Sequence, residues 1–180
     1  MPFEPIENYG VIGNMQSIAL VGMNGSIDFL SYPNFDSPTI FAALLDDQKG
    51  GRFEIRPQLT KAHVRQMYLP DTNILVTRFL AEKGVAEVTD YMPIDSVGGG
   101  PNELVRKVAV IRGDVRFRMC CQPRFSYATC VHQLELSDAC GTFYSLSSDS
   151  FAVAGRHRRG IGGTEFRTQP PWRLPDLFGF

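Results

Sequence analysis

The chain has 180 residues, 43% hydrophobic and 21% charged, with 17 Gly and 12 Pro, which is the make-up of one globular domain with many turns. A formal net charge of −1 gives no global attraction to nucleic acid or to an anionic membrane, so neither is expected as a partner. No apolar run approaches the roughly 20 residues a membrane helix needs, and the opening MPFEPIENYG lacks the basic-then-apolar pattern of a secretory signal.

Alternation dominates the chain from its start. SIALVGM and SIDFLSY flank Asn24-Gly25, a strong hairpin signal that predicts a type I′ turn. TIFAALLDD, with Asp36 or Ser37 as cap and Pro38 in the first turn, predicts one short helix over Thr39 to Leu45, stopped by Gly50-Gly51. GRFEIRP places Phe53 and Ile55 inward and Arg52, Glu54 and Arg56 outward. NILVTRFLA and GVAEVTDYM read as a hairpin through EKG. In ELVRKVAVIRG, Arg106 interrupts a face made by Leu104, Val108 and Val110. DVRFRMCC sends Val115, Phe117, Met119 and Cys121 to one side and Arg116, Arg118 and Cys120 to the other.

The expected fold is therefore all-β, an antiparallel β-sandwich with one short helix. Past Gly155 the alternation stops and Gly, Pro and Arg accumulate. The domain is accordingly set at 1–155, incomplete as a sandwich, with 156–180 an irregular, flexible tail. The sharper reading of that tail has Trp172, Leu177, Phe178 and Phe180 anchored on a partner or on the sandwich.

Chemistry is sparse. No nucleophile elbow, phosphate loop, HExxH or dinucleotide fingerprint occurs, and no cofactor is implied. Cys120, Cys121, Cys130 and Cys140 lack a CxxC pair, so no metal site is expected, and the thiols read as reduced in a cytoplasmic protein. His63, His132 and His157 lie in unrelated contexts. Of the aspartates considered for acid–base work (Asp28, Asp36, Asp46, Asp47, Asp71 and Asp90), most sit where aspartate caps or forms a turn. Asp28 differs: it lies mid-strand, so it is exposed or hydrogen-bonded at a sheet edge. Tyr32, Asn34, Phe35 and Asp36 form the one group that suits a sugar, with aromatic faces for C–H surfaces and polar groups for hydroxyls. The residues alone favour a capped helix beside packed aromatics.

The run PIENYGVIGNMQSIALVGMNGSIDFLSYPNFDSPTIFAALLDDQKGGRFEIRP, then YLPDTNILVTRFLAEKGVAEVTDYMPI and LVRKVAVIRGDVRFRMCCQPRFSYA, resembles the amino-terminal, trehalase-like domain of glycoside hydrolase family 15. The motifs in order are I-x-N-Y-x-x-I-G, G-S-I-D, F-D-S-P, Y-x-P-D-T-N, V-T-D-x-M-P and R-G. The resemblance implies a β-sandwich that precedes an (α/α)6 barrel, whose two glutamates hydrolyse an α-glucosidic bond with inversion. It covers roughly residues 5 to 128 and stops short of the barrel, so no catalytic residue is expected here. Phe29 and Asn34 stand where the family often has Trp and Arg, and losing that arginine removes a bidentate donor beside Asp36.

The implied function is a non-catalytic amino-terminal domain or fragment of such a glucoamylase- or trehalase-like hydrolase, in carbohydrate metabolism. Its implied partners are the barrel or a second copy of itself, with α-glucoside or trehalose as ligand. A free-standing carbohydrate-binding sandwich is the alternative, and a non-functional truncated product the third. An uncovered apolar face and an open sheet edge are expected consequences of the missing barrel.

Overall fold

The computed structural model describes residues 4–94, 103–137, 140–145, 150–158 and 163–169. The strands run β1 (Tyr9–Gly13), β2 (Ile18–Gly22), β3 (Ser26–Ser31), β4 (Thr39–Phe41), β5 (Arg52–Pro57), β6 (His63–Tyr68) and β7 (Leu75–Ala81). They continue as β8 (Gly84–Tyr91), β9 (Leu104–Gly113), β10 (Phe117–Gln122), β11 (His132–Leu136), β12 (Cys140–Ser145), β13 (Ser150–Arg158) and β14 (Gly163–Gln169). One sheet has six strands in the order β1-β2-β3-β5-β10, with β4 attached to β3. The other has eight, in the order β11-β12-β13-β14-β9-β8-β7-β6. Every pairing is antiparallel. The expected all-β sandwich is what the chain forms. Among the described residues no helix is long and apolar enough to cross a membrane.

Period-two patterning builds the core. In β5, Phe53 and Ile55 are fully buried, and β8 alternates buried and half-buried positions along its whole length. Ala19, Val21 and Ile27 of the smaller sheet meet Leu75, Phe79, Val88, Leu104 and Val108 of the larger. Each fully buried large side chain contributes about 1.5–3 kcal/mol. The EKG link is a two-residue hairpin, with Ala81 opposite Gly84.

Four expectations need correction. The helix over Thr39–Leu45 does not form: β4 pairs with β3, and the chain then turns back through Ala42 N–H to Gly50 O and Ala43 N–H to Gly51 O. Ile40, Phe41, Ala42 and Ala43 are buried in succession, which no single helical face allows, so tertiary burial overrides the helix propensity of AALL. The short helical segment is instead α1 (Phe125–Ala128), where Ser126 and Tyr127 take left-handed φ values of 50° and 56°. The Asn24-Gly25 hairpin forms, but not through a type I′ turn. Gly25 alone takes positive φ (84°) and its N–H closes a turn onto Gly22 O at 2.9 Å, with Asn24 Oδ1 accepting from Ser26 N–H.

The third correction concerns the expected irregular tail at 156–180. Residues up to Arg158 belong to β13, and β14 lies within the same stretch, inserted between β13 and β9. The alternating TEFRT core of β14 was masked by its Gly-, Pro- and Arg-rich surroundings. Trp172, Leu177, Phe178 and Phe180 lie outside the described residues. The fourth concerns β10: Val115 is buried, but Met119 is 45% exposed, because β10 is an edge strand of the smaller sheet.

His132 of β11 is half-buried, its ring edge-on to Phe125 at 6.0 Å and Phe143 at 5.5 Å between centroids. Burial, and then the charge of Arg124, hold its pKa below the ordinary imidazole value. A histidine that is harder to protonate when folded penalises the fold once it gains a proton. Stability should therefore fall as the pH drops below the unfolded value of about 6.5. In urea titrations between pH 7.5 and 5, His132→Phe should lose part of that decline; an unchanged pH slope would show that the site does not titrate between folded and unfolded states.

Candidate functional site

The loop after β3 carries the sugar-like group, and its residues separate. Tyr32 turns into the core at 7% exposure, where burial and then the charge of Glu103 push its phenol well above the usual range. A cis peptide joins it to Pro33. Asn34 to Ser37 then form a tight turn: Ser37 N–H donates to Asn34 O and Asn34 N–H to Ser37 Oγ, each at 3.1 Å. Asn34, Phe35 and Asp36 are exposed on it, Phe35 at 55%. Tyr32 thus anchors the loop and presents no ring beside the other three. Ser37 closes a turn rather than capping a helix, and Asp36 stands free of any helix.

Asp28 sits in a β-bulge. Leu20 faces Phe29 and Val21 faces Ile27, so Asp28 is the extra residue and its side chain is re-aimed. Only 5% exposed, it accepts from the Tyr9 hydroxyl at 2.8 Å on one oxygen and from Ser26 Oγ at 2.5 Å on the other. Burial first, then the hydrogen bond and charge of Asp28, raise the Tyr9 phenol. The expectation of a hydrogen-bonded Asp28 holds, but in a central strand and not at an edge.

Asp90 is no turn former. It faces Arg106 in register between β8 and β9, and both side chains are fully buried. Arg106 Nε and Nη2 donate to the two oxygens of Asp90 at 2.8 and 3.2 Å. Its remaining donors cross the core to the smaller sheet: Nη2 to Gly25 O at 2.9 Å and Nη1 to Phe53 O at 2.5 Å, with the guanidinium 4.9 Å from the Phe53 ring centroid. This clamp joins the two sheets. Its signal in the sequence was the arginine breaking an apolar face and an aspartate in an alternating strand; only the register joins the two.

The remaining aspartates behave as turn chemistry dictates. Asp46 accepts from the N–H groups of Gln48 and Lys49, which hold its carboxyl below the usual range, and Asp71 takes a φ of 57°. His63 lies exposed at the start of β6. Cys120, Cys121 and Cys130 form no disulfide with one another, and burial pushes the Cys121 thiol up against the opposing charge of Arg106. Among the described residues no group of three or more His, Cys, Asp or Glu is placed to hold a metal ion. The buried carboxylates Asp28 and Asp90 have both oxygens committed to protein donors.

Three comparisons bear on what this arrangement belongs to. Trehalase 1 of Sulfolobus acidocaldarius is 43% identical over 118 residues, 66% of this chain and 19% of the relative. A trehalase of Thermoplasma volcanium is 34% identical over 156 residues, 84% of this chain and 25% of the relative. A trehalase of Mycobacterium tuberculosis is 28% identical over 171 residues, 85% of this chain and 23% of the relative. The chain therefore spans a quarter or less of the length of these curated relatives. No solved structure matches it. The family described as trehalase-like, N-terminal matches residues 2–147, which is most of the sandwich, and the chain belongs to that family.

Proposed function

We propose that this chain is a non-catalytic amino-terminal domain of a family 15 glycoside hydrolase, acting beside an (α/α)6 barrel that hydrolyses an α-glucoside such as trehalose. The observation that carries the reading is the match to trehalases over a quarter or less of their length. The commitment of the buried Asp28 and Asp90 to Tyr9, Ser26 and Arg106 supports it, since a glycosidase needs two carboxyls flanking one bond. The turn bearing Asn34, Phe35 and Asp36 is the contact point for the barrel, held at a fixed height by the buried Tyr32.

The purified chain should release no glucose from trehalose, maltose or starch over the pH range of a glycosidase assay. Glucose release lost in Asp36→Ala would overturn the proposal. A second reading rests on the exposure of Phe35 between two polar neighbours: the same turn binds a sugar directly, with Phe35 covering a C–H face. Calorimetric titration with trehalose separates the two. Saturable binding that Phe35→Ala abolishes selects the second reading; its absence leaves the first.

A further inference from the structure

An apolar groove of about 860 Å³ lies at one end of the larger sheet, lined by Tyr68, Leu69, Pro70, Ile74 and Ile94, with Asp71 beside them. Tyr68, Leu69 and Ile94 are 47%, 42% and 58% exposed, a concentration of apolar surface that a folded chain ordinarily covers. The strand register places this groove. One row crosses five strands as Tyr68, Leu75, Asp90, Arg106 and Phe166. Thr168 faces Leu104, so β14 leaves the sheet at the end where β6 gives way to the groove-lining loop and where β8 has just finished.

We infer that the groove is the docking site of this chain's own segment 170–180, PPWRLPDLFGF. Three observations select that occupant. It follows β14 directly at the correct end of the sheet, two to four strand spacings from the groove, about 10–19 Å. Its eleven residues reach up to about 36 Å when extended, which is ample. Its content is complementary: Trp172, Leu174, Leu177, Phe178 and Phe180 supply apolar bulk for the apolar lining of the groove. Two prolines at its start lower the entropy lost when an extended segment is fixed. This inference is independent of the proposed function, because it requires neither a sugar nor a barrel.

Trp172 is the sole tryptophan, so its fluorescence reports the segment and nothing else. In the full chain its emission should lie at shorter wavelength than in denaturant, with reduced quenching by acrylamide. Leu69→Asp and Ile94→Asp, both at exposed positions outside the core cluster, should abolish the shift and raise quenching several-fold while the sandwich still melts in one cooperative transition. Val131→Asp, at 73% exposure beside β11 on the opposite edge of the larger sheet, should leave the emission as it was. Native emission equal to that of the denatured chain would overturn the inference, as would a blue shift that survives both groove substitutions. A blue shift that disappears on dilution would overturn it too, because the segment would then sit on a second copy.

Discussion

Asp90→Ala is expected to cost about 3–5 kcal/mol, since it leaves the Arg106 guanidinium fully buried without its counter-charge. Folded domains hold only about 5–15 kcal/mol in total, so the variant should lose much of its cooperative transition. The attraction between the two ions is not the source of this penalty. Desolvating a guanidinium costs several kcal/mol, and Asp90 is the group that offsets it. Arg106→Met together with Asp90→Leu should therefore recover most of what either single change loses. Recovery should be incomplete, because Gly25 O and Phe53 O lose the donor that reaches them from the other sheet. Urea unfolding of the two singles and the double closes the cycle. Additive losses would show that the buried pair carries no coupling.

Gly25→Ala is the second large effect, expected at about 3 kcal/mol or more. A β-carbon at φ 84° would stand 2.3 Å from Ile55 O, a backbone atom that cannot rotate away. A non-glycine residue in this region carries about 1–3 kcal/mol of strain before any clash. Relief of the clash moves the turn, and the Gly25 carbonyl moves with it, loosening its bonds from Ile55 N–H and Arg106. The glycine and the buried ion pair thus share one contact. Combining Gly25→Ala with Arg106→Met should cost less than the sum of the two, as coupled neighbours do. A loss below about 1 kcal/mol in chemical denaturation would mean that the turn shifts without disturbing the clamp.

These two sites mark where the sequence stops being legible. Strict alternation in GRFEIRP identified a strand and its inward face, since period-two burial is a property of one strand alone, while GVAEVTDYM was legible as a strand from its β-branched and aromatic residues. The clamp depends on Asp90 facing Arg106 and on both sheets stacking at that height, which are facts of register and layer packing. TIFAALLDD misled because intrinsic propensity is weak beside burial on several sides at once. The strand within GTEFRTQ was obscured by neighbours of different composition, and only its place between β13 and β9 explains why it orders. At the candidate site, four residues of one five-residue run suggested a shared surface. Successive side chains at a strand's exit can part company, and here Tyr32 went inward while Phe35 went out.

Tyr68 has a further consequence. Its hydroxyl accepts from Val11 N–H and donates to Val11 O, each at 2.8 Å, so a side chain on the edge of one sheet occupies the place of a missing strand on the edge of the other. The Val11 amide is thereby withdrawn from solvent exchange for as long as β6 holds its position. Edge strands ordinarily fray one by one, at little cost and without consulting each other. Through one phenolic oxygen, β1 and β6 are made to open together, and the margin of the sandwich acquires the cooperativity of its interior.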